Sequence, residues 1–262
     1  MPVPLGLHSA QLDDVRALRT KAGRREQQRF TVEGATMLEE ALRAGARPDA
    51  VYVTDRGHDA LGPLAAAVRD RLFLVPERAA GRLSDLETPP GVLGVFPWAL
   101  EPLEAILATR RPGLVLAGVG DPGNAGTLLR SADIFGVGSA VFVQGTVEPY
   151  NPKVVRATMG AIFRLRLALA EPEALVADAG DHGYALVAAA RNGTPLPEFR
   201  FPERCLIAIG NERHGVSESL PRRDLGVAIP QPGQGESLNA AIAGSIILYA
   251  FSQQSSATMR QS

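Results

Sequence analysis

Three stretches of this chain carry residue types that could do chemistry. The first is Gly118-Val119-Gly120-Asp121-Pro122-Gly123-Asn124-Ala125-Gly126-Thr127-Leu128-Leu129-Arg130. It follows an apolar run, Leu114 to Ala117, and opens an apolar-periodic segment through Phe135. That order predicts a strand, a glycine-rich turn and a helix start. Backbone N–H groups at such a helix N-terminus can hold an anion or a polar ligand. Asn124 fits the helix N-cap, and Arg130 lies further along the same helix. The frame Gly118-x-Gly120-x-x-Gly123 also matches a dinucleotide fingerprint, which would make the chain a nicotinamide-dependent dehydrogenase. Two features oppose that. The next strand ends in Val143-Gln144-Gly145-Thr146 with no carboxylate before Glu148 to hold a ribose. Pro122 also removes one N–H that a pyrophosphate would need.

The second stretch is Ile209-Gly210-Asn211-Glu212-Arg213-His214-Gly215-Val216-Ser217. It follows an apolar strand directly, and open α/β sheets bind ligands at such strand ends. The plain alternative is a solvated loop with Glu212 capping a helix and His214 an ordinary loop residue. The third is Ile229-Pro230-Gln231-Pro232-Gly233-Gln234-Gly235-Glu236-Ser237-Leu238-Asn239-Ala240-Ala241. Ser237 reads as the helix cap and Asn239 as a first-turn residue. The small face beyond it (Ala240, Ala241, Ala243, Gly244) admits close approach of a ligand or of another helix.

Composition narrows the rest. One cysteine, Cys205, excludes an internal disulfide and a multi-cysteine metal site, and its apolar surroundings predict a buried thiol. No metal site is expected. No apolar run reaches membrane-spanning length, and no secretory signal opens the chain, so a cytoplasmic protein with no membrane partner is expected. Net charge is −1, but Arg16, Arg19, Lys21, Arg24, Arg25 and Arg29 face only Glu26 between residues 16 and 30. Residues 101–262, by contrast, are nearly neutral, with 14 basic and 15 acidic residues. Lys21, Arg24, Arg25 and Arg29, read as a basic turn and the strand start after it, are therefore the candidate nucleic-acid contacts. Phe30 could stack a base, although its alternation with Val32 favours a core position.

The elements that must position these residues alternate throughout. Helices are predicted near 9–20, 35–44, 59–69, a short one from Pro76, then 103–108, 124–135, 153–159, 172–179 and 238–251. Strands are predicted near 29–34, 50–53, 72–75, 91–96, 114–119, 140–143, 163–169, 185–190, 206–210 and 227–229. The fold class is α/β: a small N-terminal α/β domain over 1–98, a proline-marked linker over 99–112, and a mostly parallel α/β domain over 113–262.

Taken together, in this order and spacing, the motifs resemble the SpoU/TrmH family of RNA 2′-O-ribose methyltransferases in the SPOUT superfamily. Asn124, Gly126 and Arg130 match its first motif. Gly210, Glu212 and Gly215 match its second, with Arg213 and His214 intervening. Pro230, Ser237, Leu238 and Asn239 match its third, with Gln231 where methionine is common. Tyr150–Ala161 resembles its middle region, and Arg29–Gly34 resembles a ribosomal-protein-like substrate-binding domain. The resemblance implies a C-terminal trefoil knot, S-adenosyl-L-methionine as cofactor, and a homodimer through the C-terminal domain. It also implies an RNA substrate, with ribosomal RNA ahead of transfer RNA. Gly210, Asn211, Ile229, Ser237, Leu238 and Asn239 would hold the cofactor. Asn124, Arg130, Glu212, Ser237 and Asn239 would serve catalysis. A catalytically silent RNA-binding factor on the same scaffold is the alternative.

Overall fold

The computed structural model describes residues 2–211, 215–216, 219–221, 223–234 and 237–259, the last five by backbone only. The chain forms two compact units: Met1–Trp98 with Tyr150–Phe163, and Ala99–Pro149 with Arg164–Ser262.

Unit 1 is built on strands β1 (Val3–Pro4), β2 (Arg29–Glu33), β3 (Ala50–Val53), β4 (Leu72–Leu74) and β5 (Val92–Pro97), ordered β1-β4-β3-β5-β2. β1, β4 and β3 run parallel, and β5 runs antiparallel to both β3 and β2. Its helices are α1 (Ala10–Ala17), α2 (Lys21–Gln27), α3 (Ala35–Arg43), α4 (Asp55–Leu61), α5 (Leu64–Ala67) and α6 (Glu77–Leu83). The three-residue recurrence of Leu12, Val15 and Leu18 buries one side of the α1 region against the sheet. The helix predicted near 59–69 is instead two short ones. Gly62 at φ +52 followed by Pro63 ends α4, because the left-handed turn and the missing N–H cannot continue a helix. Tyr150–Phe163, with helix α9 (Pro152–Ala157), joins unit 1 through aromatic packing: Tyr150 stacks on Phe30, and Phe163 packs on Phe30 and Phe96.

Unit 2 holds a six-stranded sheet of β6 (Gly113–Ala117), β7 (Ser139–Val143), β8 (Arg166–Ala170), β9 (Ala185–Pro195), β10 (Cys205–Gly210) and β11 (Leu225–Ala228). Its order is β11-β9-β10-β6-β7-β8, and every pairing is parallel. Every residue of β6, β7 and β10 is buried, as continuous apolar runs in a sheet covered on both faces require. The covering helices are α7 (Leu103–Leu107), α8 (Pro122–Ile134), α10 (Pro172–Asp181) and α11 (Ala240–Met259). Residues 99–112, expected as a linker, contain α7, whose Ile106 and Leu107 are buried in the unit 2 core. Cys205 is fully buried there, and desolvation pushes its thiol pKa up to about 12, so it is an inert core residue.

Arg166 on β8 clamps Glu101: its Nε donates to both carboxylate oxygens at 2.9 and 3.0 Å, and its Nη2 donates to Glu101 and, at 3.1 Å, to Ala105 O. The hydrogen bonds from Arg166 hold the Glu101 carboxyl below its ordinary value. The linked stability is therefore present above the ordinary carboxylate pKa and lost as pH falls through the lowered one. Both side chains are about a third exposed, so solvent screens the pair. Glu101→Gln is expected to cost at most about 1 kcal/mol at pH 7. Urea melts of parent and variant should converge as pH falls below the lowered carboxyl pKa.

Candidate active site

The first motif turns where the sequence places it, but its cap differs. β6 ends at Ala117, and Gly118 reverses the chain at φ +77, a conformation that favours glycine. A side chain there would also collide, its Cβ falling 2.4 Å from Ser219 Oγ. Asp121, not Asn124, is the N-cap of α8: its Oδ1 accepts the Asn124 N–H at 2.7 Å. Pro122 at the first helical position favours this start, because its φ is preset and its missing N–H would have had no helical partner. The Asp–Pro pair was a readable signal for that cap. The same carboxylate disposes of the dinucleotide reading, since it sits at the helix N-terminus where a pyrophosphate would have to bind.

Thr146, given no role from sequence, pins this turn from the loop after β7. Its Oγ accepts the Gly118 N–H at 2.9 Å and donates to Leu116 O at 2.8 Å. The backbone N–H of Val147 donates to Val119 O at 3.0 Å. Nothing in a lone threonine after a strand marks such a contact before the fold is known.

The third motif also caps differently from its sequence reading. Asn239, not Ser237, starts α11: its Oδ1 accepts N–H groups from Ala241 at 2.9 Å and Ile242 at 3.2 Å. Asparagine outcompetes the more distant serine because its carbonyl reaches the second and third helical N–H groups. Its Nδ2 then donates to Asn124 Oδ1 at 2.9 Å, so two motif residues 115 positions apart meet directly. The small face of α11 serves helix packing at Gly244, where a Cβ would fall 2.3 Å from Leu128 Cδ2. Ser131 and Ser245 hydroxyls bond at 2.7 Å across the same α8–α11 seam.

The second motif closes on itself after β10. Asn211 N–H donates to Gly215 O at 3.1 Å, and Gly215 N–H donates to Asn211 O at 2.8 Å. Gly210 is required by this closure, because a Cβ would lie 2.1 Å from Gly215 O. Glu212, Arg213 and His214 lie outside the described residues.

A cavity of about 810 Å³ opens between the second and third motifs, within the range of small-molecule sites. Gly210, Asn211, Ile229, Ser237 and Leu238 all line it, whereas Asn239, also expected to touch the cofactor, sits among lining residues without lining it. Ile209, Ala240, Ala243 and Ile247 give it an apolar wall. Further lining, missed from sequence, comes from β9, expected to stop near residue 190 but continuing to Pro195. Pairing with β11 jumps from Ala188 to Thr194, so residues 189–193 leave the ladder and face the cavity. The shape and lining fit S-adenosyl-L-methionine: apolar side chains for the adenosine, a bare strand-end backbone at Gly210, and Asn211 and Ser237 for polar atoms. Arg130 is exposed on α8 and makes no hydrogen bond or ion pair among the described residues, and the structure records no contact joining it to the Asn124–Asn239 pair.

In unit 1 the basic stretch is not a turn but helix α2, capped by Thr20, whose Oγ accepts the Gly23 N–H at 3.1 Å. Gly23 permits close packing on α1, since a Cβ would fall 2.2 Å from Ala17 O. Helix formation sorts the expected RNA contacts. Lys21 and Arg25 are exposed, and Arg29 is half-exposed beside Asp49, its Nε 2.8 Å from a carboxylate oxygen. Arg24 is a correction: at 2% exposure its Nη1 donates to Leu18 O at 2.8 Å and Arg19 O at 2.9 Å, so it ties the α1–α2 corner and cannot reach solvent phosphate. Phe30 is core, stacked on Tyr150. Among the described residues no cluster of His, Cys, Asp and Glu could hold a metal, and no helix is long and apolar enough to cross a membrane.

Comparison with known proteins gives consistent matches in both units. Residues 112–249 match the model of the SpoU rRNA Methylase family, and residues 10–94 match an MRM3-like substrate binding domain. A Bacillus subtilis relative, the 23S rRNA (guanosine(2553)-2'-O)-methyltransferase RlmP, is 30% identical over 91% of this chain and 94% of its own. The crystal structure of an AdoMet-bound rRNA methyltransferase from Sinorhizobium meliloti superposes with a TM-score of 0.82 at 29% identity, covering 94% of this chain and 97% of that one. The SpoU methyltransferase AviRb from Streptomyces viridochromogenes, in complex with AdoMet, gives 0.80 at 26% identity, covering 95% and 98%.

Proposed function

We propose that this chain, which belongs to the SpoU rRNA methylase family, transfers a methyl group from S-adenosyl-L-methionine to a ribose 2′-hydroxyl of ribosomal RNA. The observation that carries the reading is the convergence of Gly210, Asn211, Ile229, Ser237 and Leu238 on one cavity. When bound, the cofactor supplies a methyl already activated by its sulfonium, so the protein has chiefly to place the 2′-oxygen and manage its proton. Arg130 takes the electrostatic part. A guanidinium stays protonated in proteins and cannot readily be a base, but it stabilises negative charge developing on the ribose oxygen and anchors a neighbouring phosphate. Asn124 and Asn239, joined at 2.9 Å, orient the ribose or Arg130. Ser237 offers a hydroxyl on the cavity wall, and Glu212, which lies outside the described residues, takes its catalytic role from the family resemblance alone. Unit 1, with Lys21, Arg25 and Arg29, grips the RNA.

Assembly as a homodimer through unit 2, the family's trefoil knot and a cytoplasmic site of action belong to the same proposal. Support for the dimer comes from an apolar stripe on α11: Ile242, Ile246 and Tyr249 recur at helical spacing and are 53%, 37% and 51% exposed. Tyr249 packs edge-on to Phe135 at the end of α8, next to the exposed Ile134. Exposed apolar patches of this kind mark association surfaces. Ile242→Glu is expected to shift the sedimentation coefficient from dimer to monomer; a parent that sediments as a monomer would remove the dimer from the reading.

The test of the activity is transfer from labelled S-adenosyl-L-methionine to unmodified ribosomal and transfer RNA pools, followed by alkaline hydrolysis. Label in an alkali-resistant dinucleotide from the ribosomal pool is expected. Cofactor binding without transfer to either pool would favour the silent RNA-binding scaffold.

A further inference from the structure

Unit 1 contains a column of three aromatic rings that runs from its core to its surface. Phe30, on β2, stacks on Tyr150 with centroids 4.4 Å apart and planes inclined by 27°. Tyr150 stacks in turn on Trp98, at 5.3 Å and 26°. Phe30 and Tyr150 are almost wholly buried, whereas Trp98 is half-buried and ends the column at solvent.

The indole is held in place. The Trp98 backbone N–H donates to Gln28 O at 2.8 Å, and its Nε1–H donates to Arg29 O at 3.1 Å. The ring's one polar atom is thus satisfied within the protein, and its exposed part offers apolar π surface. Both acceptors belong to the junction between α2 and β2, where Gln28 turns the chain at φ +51. That junction is flanked by the exposed Arg25 and the half-exposed Arg29. A lid over a core needs only an aliphatic side chain. A fixed indole with a supporting ring behind it is the arrangement that stacks an unstacked nucleobase.

We propose that Trp98 is a base-stacking residue for an unpaired nucleotide of the RNA substrate. The proposal rests on the RNA-substrate reading and adds to it the residue that engages a base. The ring is preorganised: Tyr150 fixes its plane, and the two hydrogen bonds fix its position, so little side-chain freedom is lost on stacking.

Trp98 is the chain's single tryptophan, so intrinsic fluorescence reports on it alone. The probes are a protein-free 23S rRNA transcript and an oligoadenylate twelve-mer, with binding measured independently by filter retention. Both RNAs should quench Trp98 and shield it from acrylamide. Trp98→Phe should bind within about threefold of the parent and Trp98→Leu about tenfold more weakly. The salt dependence of Trp98→Leu should match the parent's, because stacking releases no counterions, whereas Arg25→Ala should flatten the log–log slope by about 0.7. Circular dichroism and thermal midpoints establish that the variants are folded, and the fluorescence of the parent needs no variant. RNA retained on the filter with Trp98 unquenched and still open to acrylamide overturns the stacking role and leaves the RNA reading standing. Failure of the parent to retain either RNA overturns both.

Discussion

Replacing Arg130 with alanine is expected to reduce methyl transfer by about 10²- to 10³-fold. Binding of S-adenosyl-L-methionine should stay within about twofold of the parent's, since an interaction made only in the transition state leaves ground-state affinity intact. The separation follows from where the side chain stands. Arg130 is exposed on α8, and it is not among the residues that line the cavity. Single-turnover transfer measures the first quantity, and calorimetric titration of the cofactor measures the second. Arg130→Lys should recover only part of the rate, because it keeps the charge but loses the planar fork that engages two oxygens at once. Parallel loss of transfer and cofactor binding would show that Arg130 shapes the cavity, and the division of roles would fall.

Arg24→Met is expected to cost about 3 kcal/mol of stability without changing the salt dependence of RNA binding. At 2% exposure Arg24 donates to two backbone carbonyls, Leu18 O and Arg19 O, among its partners. Methionine fills much of the same volume and supplies no donor, so both carbonyls lose this partner at the α1–α2 corner, the Leu18 carbonyl while buried and the Arg19 carbonyl while partly buried. The urea midpoint should fall by a corresponding amount. Arg25, one residue on and exposed, should behave oppositely, with little effect on folding and a shallower salt slope. An Arg24→Met protein of parental stability that binds RNA with a reduced salt slope would return Arg24 to the RNA-contacting group.

These adjacent arginines mark the limit of reading charge from a sequence. Local charge density marks a basic element but not its conformation, and a turn would expose most of its side chains. Helix formation from Lys21 to Gln27 instead rotates successive residues by about 100°, which turns Arg24 inward and Arg25 outward. Trp98 shows the converse. A single tryptophan between two prolines gives no sequence signal, and its place on the ring column depends on Tyr150, 52 positions away.

Caps followed a similar pattern. The sequence places the starts of α8 and α11 to within two residues, yet it favours Asn124 and Ser237 as caps where Asp121 and Asn239 do the capping. Local propensity ranks Asn, Asp and Ser closely as N-caps. The choice among them falls to the preset φ of Pro122 at one helix and to the reach of the Asn239 carbonyl at the other.

The sequence by itself determined the α/β class, the parallel buried character of the second sheet, the succession of its apolar strands along the chain and the three motif loops that bear the candidate site residues. Those features are written in local periodicity and in glycine, proline and asparagine at short range, where each residue acts through its own backbone preferences. Tertiary structure alone decided which residues meet: the Asn124–Asn239 hydrogen bond, the clasp of Thr146 on Gly118, the wall that residues 189–193 lend the cavity, and the inclusion of Tyr150–Phe163 in unit 1. Such contacts join positions far apart along the chain. They are fixed by the order in which strands pair and by the packing of one fully formed element on another, and local propensity contains no information about either.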